Sequence, residues 1–376
     1  MKVLISTDTI GGVLTYTTEL AAALEAAGDE VVVATMGAPL RPAQRRRLPA
    51  CVHESDFALE WMEDPWVDVA AAGEWLRELA QEERPDVVHL CSYAHGSVSF
   101  RAPKLLVAHS CVLSWWRAVH ATEAPPSWNR YREETAAGLE AADAVVAPSQ
   151  AMLTELERDH ELDPGSATVI HNGSGTSGTR FPAPHPPANP NCIKFPTQQR
   201  GNLMQFAGEG RLVLGSGRFW DPAKNLAALD AAAEGLAWPV VVAGDLGDGE
   251  SPRHAEATGL LDGEELAALR RQASIYAAPA VYEPFGLGIL EAARDGCALV
   301  LGDIPSLREL WGDAAIFVDP RDVGALHAVL ACLIEAPQVR ADLGERARRR
   351  AAAYSIERTA AAYRRLYQRL ALRERV

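Results

Sequence analysis

Lysine is almost missing from this sequence: Lys2, Lys104, Lys194 and Lys224 are the only lysines among 36 basic side chains. A lysine at a promising position therefore draws attention. Positive charge as a whole is short, because 50 acidic side chains leave a formal net charge of −14 and a pI of about 5.2. That balance weighs against a general nucleic-acid binder, whose affinity for phosphate comes from a basic surface. Paired cysteines are also missing. Cys51, Cys91, Cys111, Cys192, Cys297 and Cys332 are scattered without a C-x-x-C pair. None is read as standing beside a histidine at ligand spacing, so reduced, mostly buried thiols are expected, not a disulfide frame or a zinc site. No apolar run approaches the ~20 residues that span a bilayer. Met1 to Ser6 reads as a strand instead of a leader peptide, and the expected setting is the cytosol.

What is present is an ordinary globular composition, 48% hydrophobic and 23% charged over 376 residues. At about 150 residues per domain that length suggests two domains. In the first third, the runs Lys2–Ser6, Glu30–Thr35, Val87–Cys91, Leu105–His109 and Ala144–Ala147 are short, apolar and separated by polar or helical sequence. Thr168–His171 closes the set. Continuous apolar strands alternating with helices predict a parallel sheet covered on both faces. Residues 172–206 change character, rich in Gly, Pro, Asn and Ser and without period, and read as a linker or long loop. A second alternating set then begins. Arg211–Gly215, Val240–Ala243, Ile275–Ala278, Ala298–Gly302 and Ala315–Val318 are its strands; Lys224–Glu234, Asp262–Gln272, Gly286–Arg294 and Asp322–Glu335 are its helices, with Val339–Ala353 and Ile356–Arg373 helical to the end.

The expected architecture is thus α/β: two Rossmann-like doubly wound domains facing across a cleft. The domains run over 1–171 and 211–355, with a linker at 172–210 and a final helix at 356–376. Such sheets bind ligands beyond the carboxyl ends of their strands.

The most informative segment is VYEPFGLGILE, Val281 to Glu291. Pro284 suits the loop before a helix, and Gly286, Leu287 and Gly288 bring bare backbone to a helix start, where unpaired N–H groups and the positive dipole end favour anions. Glu283 precedes that helix and Glu291 lies within it. Carboxylate, anion site, carboxylate is the order that suits the sugar, diphosphate and ribose of a nucleotide-sugar. The bland alternative makes Glu283 a cap and Glu291 a solvated residue. GSGRFWDPAKN, Gly215 to Asn225, places Arg218 and Lys224 at the end of a strand, where cations stabilise a departing diphosphate; pairing with surface acids is the alternative. In TIGGV, Thr9 to Val13, Gly11 and Gly12 suit either a phosphate or a plain tight turn. His109, at the end of LLVAHS, suits a sugar hydroxyl or a developing charge, while His89 is a core candidate and His95 and His171 are weaker cleft candidates.

In chain order, GGV at Gly11–Val13, PDVVHLCSYAHG at Pro85–Gly96, APSQ at Ala147–Gln150 and IHNG at Ile170–Gly173 are followed by GR…KN at Gly217–Asn225, VVAGD at Val241–Asp245 and Glu-x7-Glu at Glu283–Glu291. This series resembles the retaining glycosyltransferases of family 4, which have two Rossmann-like domains in the glycogen-synthase-like, GT-B arrangement. The resemblance implies metal-independent transfer of a hexosyl unit from a nucleotide-diphosphate sugar to an unknown hydroxyl acceptor, with retention and no cofactor. It implies Glu283 at the donor sugar, Glu291 at the ribose, and Arg218 and Lys224 at the diphosphate with the backbone of Gly286–Gly288 and Gly12. His109 would touch the sugar, and Gly244 and Asp245 would help to hold the base. The segment between Asp245 and Asp262 departs from the family pattern in lacking an apolar strand. A 2-epimerase or phosphorylase on the same architecture, or a silent nucleotide-sugar-binding protein, are the other readings.

The acceptor side offers Trp61, Trp66, Trp75, Trp115, Trp116 and Trp128, which suit sugars, though core packing explains most of them more simply. Arg41 and Arg45–Arg47 suit either the acidic inner face of a membrane or, more simply, a solvated helix face.

Overall fold

The computed structural model describes residues 1–49, 51–160, 162, 167–175, 210–249 and 251–373. Most of the stretch read as a linker lies outside them. The chain divides into two compact units, Met1–Ser174 with Tyr354–Val376, and Gly175–Ala353.

The first unit is built on a seven-stranded parallel sheet. Its strands are β1 (Lys2–Asp8), β2 (Glu30–Met36), β3 (Val52–Glu54), β4 (Val87–Leu90), β5 (Lys104–Val107), β6 (Ala144–Ala147) and β7 (Ala167–Val169), in the order β3-β2-β1-β4-β5-β6-β7. Val3, Leu4 and Ile5 of β1 and Val32, Val33 and Ala34 of β2 are fully enclosed. That two-sided burial is why the central strands read as unbroken apolar runs. The order reverses between β1 and β4, which makes their carboxyl ends the switch point of this sheet. The helix Gly12–Ala26 starts there, with Gly11 at φ 80° turning the chain. The helix Ile356–Arg373 packs against it and buries Tyr363 and Tyr367.

This last helix explains His89. Its Nε2 meets the hydroxyl of Tyr16 at 3.2 Å and its Nδ1 that of Tyr367 at 2.6 Å. A neutral imidazole has one donor and one acceptor nitrogen and so serves both hydroxyls. Burial holds its pKa down at about 3. His95 is a correction to the expected cleft position: it is buried, donates from Nε2 to the Val69 carbonyl at 3.1 Å, and is held at about 4 by burial. An unfolded imidazole titrates near about 6.5, so the unfolded chain binds more protons below that pH and stability falls as the solution is acidified. Urea unfolding at about pH 5 and about pH 7 measures this. The protein is expected to be less stable at the lower pH, and His89→Gln is expected to shrink the difference by about 2 kcal/mol. An unchanged difference removes His89 from the account.

The second unit carries a six-stranded parallel sheet. Its strands are β8 (Val213–Arg218), β9 (Val240–Asp245), β10 (Glu256–Gly259), β11 (Ile275–Ala278), β12 (Ala298–Gly302) and β13 (Ala315–Val318), ordered β10-β9-β8-β11-β12-β13. β10 lies in the segment between Asp245 and Asp262 that reads as lacking an apolar strand, and EATG is indeed not apolar. It is an edge strand, paired only with β9 and shifted in register between Ala257 and Gly259. A half-covered edge needs no apolar run, so EATG gives no signal. Asp230 fixes its approach by accepting the backbone N–H groups of Arg253, His254 and Ala255 at 2.8–2.9 Å.

The single helix expected over Lys224–Glu234 is two pieces, a 3₁₀ turn Pro222–Lys224 and a helix Leu226–Ala233. The break falls at Asn225, whose φ is 56°; its side-chain amide donates to the carbonyls of Pro279 and Pro320 at 2.9 and 2.7 Å. Two carbonyl partners hold Asn225 in a left-handed conformation that asparagine tolerates better than most residues.

Candidate active site

In the second unit the switch point lies between β8 and β11, and the predicted motifs collect at their carboxyl ends. The 3₁₀ turn is tied to the loop after β11 by the Val281 N–H, which donates to the Ala223 carbonyl at 2.9 Å. Further along that loop, the Glu283 carbonyl accepts from the Ser306 hydroxyl at 2.6 Å. With both backbones fixed, Lys224 Nζ reaches Glu283 Oε2 at 2.7 Å, each side chain only about a fifth exposed. The two residues are 59 apart in sequence.

The helix Leu287–Asp295 begins beside this pair. Gly286, at φ 83°, is its N-cap in the left-handed region, and Gly288 is its second residue. A Cβ on Gly288 would stand 2.8 Å from the Tyr276 hydroxyl and 3.2 Å from Ser216 Oγ. Those hydroxyls bond each other at 2.8 Å, and burial pushes the Tyr276 phenol up to about 12, so it stays protonated. Ser216, Lys224, Tyr276, Glu283, Gly286 and Gly288 line one recess. It therefore combines a cation, a carboxylate, two hydroxyls and a helix amino end whose first N–H groups lack intrahelical acceptors.

The other expected residues have their own partners. Arg218 lies 3.8 Å from Asp221 Oδ2 and over the Trp220 ring, 5.4 Å from its centroid. Glu291 is not a free carboxylate: its Oε2 accepts from Arg270 at 2.8 Å, and the same guanidinium bonds Asp295 at 2.5 Å. Arg270 is 7% exposed, so the two acids neutralise a buried charge. Asp245 accepts the Gly247 N–H at 3.0 Å in a tight turn. Gly244 pairs with Gly217 across β8 and β9.

Gly11, Gly12 and His109 belong to the first unit. Gly12 opens its helix, and no atom lies within 4 Å of where its Cβ would be. His109 stands two residues beyond β5 with its ring edge-on to Tyr16 at 4.5 Å. Burial holds it at about 3, hence neutral, and its buried Nε2 has no hydrogen-bond partner among the described residues. His171 bonds the Pro148 carbonyl at 2.9 Å and packs on Tyr354.

Trp115, Trp116 and Trp128 form a cluster with His120. Arg45 and Arg47 face Glu54 and Glu19. No helix among the described residues is long and apolar enough to cross a membrane.

Several positioning residues carried no signal. Glu60, enclosed and with its pKa raised by burial, accepts from the Ser92 hydroxyl and from the N–H groups of Tyr93 and Ala94. It thereby shapes the SYAHG turn after β4, yet in sequence it is one acid among many. Arg270 and Ser306 were equally silent, since their partners lie on other elements.

Two parallel-sheet α/β units with these motifs at their strand ends define a GT-B glycosyltransferase. Residues 10–176 match the model of Glycosyltransferase Family 4, and residues 223–350 that of Glycosyl transferases group 1. The chain belongs to the family 4 type of these glycosyltransferases. It is similar to the glycogen synthase of Mycobacterium tuberculosis, 29% identical over 378 residues, covering 87% of this chain and 83% of the relative. A phosphatidyl-myo-inositol mannosyltransferase of Mycolicibacterium smegmatis is 32% identical over 178 residues, 43% of this chain and 46% of the relative. The fold is also that of sucrose-phosphate synthase from Thermosynechococcus elongatus, with TM-score 0.76 and 20% identity over 98% of this chain and 99% of the other. Anabaena HepE in complex with UDP-glucose superposes with TM-score 0.69 at 17% identity, over 96% of this chain and 99% of the other.

Proposed function

We propose that this glycosyltransferase moves a hexosyl unit from a nucleotide-diphosphate sugar to an acceptor hydroxyl, with retention and without a metal. The observation that carries the reading is the Lys224 and Glu283 pair, 2.7 Å apart beside the bare amino end of Leu287–Asp295. A diphosphate placed there meets one ammonium and a helix N-terminus, while Glu283 accepts from sugar hydroxyls. Arg218 swings from its long contact with Asp221 to fork onto phosphate oxygens. The names of the relatives support a hexose, and the ligand of HepE supports a nucleotide-sugar.

The acceptor oxygen attacks the anomeric carbon on the face from which the phosphate leaves. The bond to phosphate oxygen breaks, the bond to acceptor oxygen forms, and the acceptor proton passes to the departing phosphate. Lys224, Arg218 and the helix end hold the charge that develops, so the protein supplies positioning and electrostatics. Glu283 acts as a sugar contact and is not assigned a covalent role.

A thermal-shift screen of nucleoside diphosphates and their sugars names the donor, since ligand binding to the native state raises the melting temperature. Turnover of that donor with candidate acceptors, followed by NMR of the anomeric centre with and without chelator, tests the rest. The expected product keeps the donor configuration and forms equally with chelator present. An inverted product, dependence on a divalent metal, or an epimerised sugar without acceptor each overturns the reading.

A further inference from the structure

The opposite end of the first sheet carries a cluster that transferase chemistry does not use. Cys51 and His53 stand two positions apart at the head of edge strand β3, and Glu83 closes the helix Trp66–Glu83. His53 Nε2 lies 3.1 Å from Glu83 Oε1 and 3.8 Å from Cys51 Sγ, and the thiol lies 3.9 Å from the same carboxylate oxygen. The backbone beneath is fixed, because the Cys51 carbonyl accepts from the Val33 N–H at 3.0 Å. The expectation of no thiol at ligand spacing to a histidine is corrected here: a separation of two suits a strand, where residues i and i+2 share a face.

Both neighbours of His53 use the same ring nitrogen. A nucleophile relay needs thiol and carboxylate on opposite nitrogens, so this is not one. A single ion shared by three atoms needs the convergence seen. Zinc bonds of about 2.3 Å to sulfur and about 2.0–2.1 Å to nitrogen and oxygen, in a tetrahedron, set the ligand atoms about 3.4–3.6 Å apart. The three separations bracket that range within a few tenths of an ångström. A thiolate and an imidazole also favour zinc over magnesium or calcium.

We propose that Cys51, His53 and Glu83 form a zinc site with a fourth, exchangeable position, and that the metal pins edge strand β3 to the end of the Trp66–Glu83 helix. The charges balance. Thiolate, Glu83 and Glu30 supply three negative charges, against one from Lys2, which bonds both glutamates at 2.8 Å, and two from the ion. The side chains of His53 and Glu83 are 33% and 21% exposed, which leaves an entry path. The site sits by the amino-terminal residues of β1 and β3, away from the carboxyl ends where such sheets bind ligands.

The test uses the full chain, stripped by a chelator under a thiol-free reductant and titrated with Zn²⁺ against a chromophoric competitor. Co²⁺ in place of Zn²⁺ reports a thiolate ligand by its charge-transfer absorption. One equivalent is expected, with affinity falling about 100-fold in Cys51→Ser and at least about 10-fold in His53→Gln. The cobalt–thiolate band is expected to vanish in Cys51→Ser. Binding of less than half an equivalent, or equal affinity in parent and variants, overturns the proposal. Should Cys51→Ser not fold, His53→Gln and Glu83→Gln carry the same comparison.

Discussion

Lys224→Ala is expected to lose about two orders of magnitude or more in turnover while remaining folded. Lys224 is the only lysine among the residues that line the recess at the amino end of Leu287–Asp295. A leaving diphosphate gathers charge as the glycosidic bond breaks, and an ammonium aimed there acts more strongly on the transition state than on the bound donor. The loss should therefore fall mainly in kcat, with KM moving less. Stability should change little. A pair about a fifth exposed is worth only about 1 kcal/mol, and Ser306 and Asn225 hold the loops independently. Arg218→Ala should lose turnover on the same scale, because its present partner, Asp221, is at 3.8 Å and releases it readily. Turnover near the parent's in Lys224→Ala, with the fold verified by circular dichroism, overturns the assignment.

Gly244→Ala should act on stability instead. A Cβ at that position would lie 1.8 Å from the Gly217 carbonyl oxygen, backbone against backbone, with φ at 153°. No side-chain rotation relieves such an overlap, so β8 and β9 must separate at the ends that carry Arg218 and Asp245. The expected loss exceeds about 3 kcal/mol, a large share of the ~5–15 kcal/mol that holds a domain together. Urea unfolding measures it, and a change under about 1 kcal/mol refutes the packing argument. Gly12→Ala is the natural contrast. Its Cβ meets nothing within 4 Å and it lies in a helix, so stability should hold or rise slightly. Weakened donor binding in that stable variant would mark Gly12 as a place where ligand approaches bare backbone.

The sheets were legible wherever strands are covered on both faces. β11 and β12 stand at the residues their apolar runs indicated, because two-sided burial writes itself as an unbroken run. β3 and β10, at the edges, carry no such signal, and neither was among the strands read from the sequence. At the candidate site, the sequence placed Lys224 and Glu283 each at a strand end, but their ion pair was not read. What could not be read was what each group touches. Arg270 claims Glu291 from a helix 21 residues away, and nothing in the local pattern marks that arginine as buried. Cys51 and His53 went unread as a pair, and Glu83 joins them only through the helix that carries it back to the sheet. Spacing within one element is legible; partnership between elements depends on tertiary packing.

His89 and Tyr367 are 278 residues apart, yet their side chains meet at 2.6 Å inside the first unit. A ribosome delivers the histidine well before the tyrosine, with the second unit made in between. The unit whose synthesis begins first is thus completed only after the other unit has been made. Until the closing helix arrives, the nascent sheet presents an uncovered imidazole beside Tyr16, and a chain cut short near residue 355 would damage the end of the molecule that the deletion never touched.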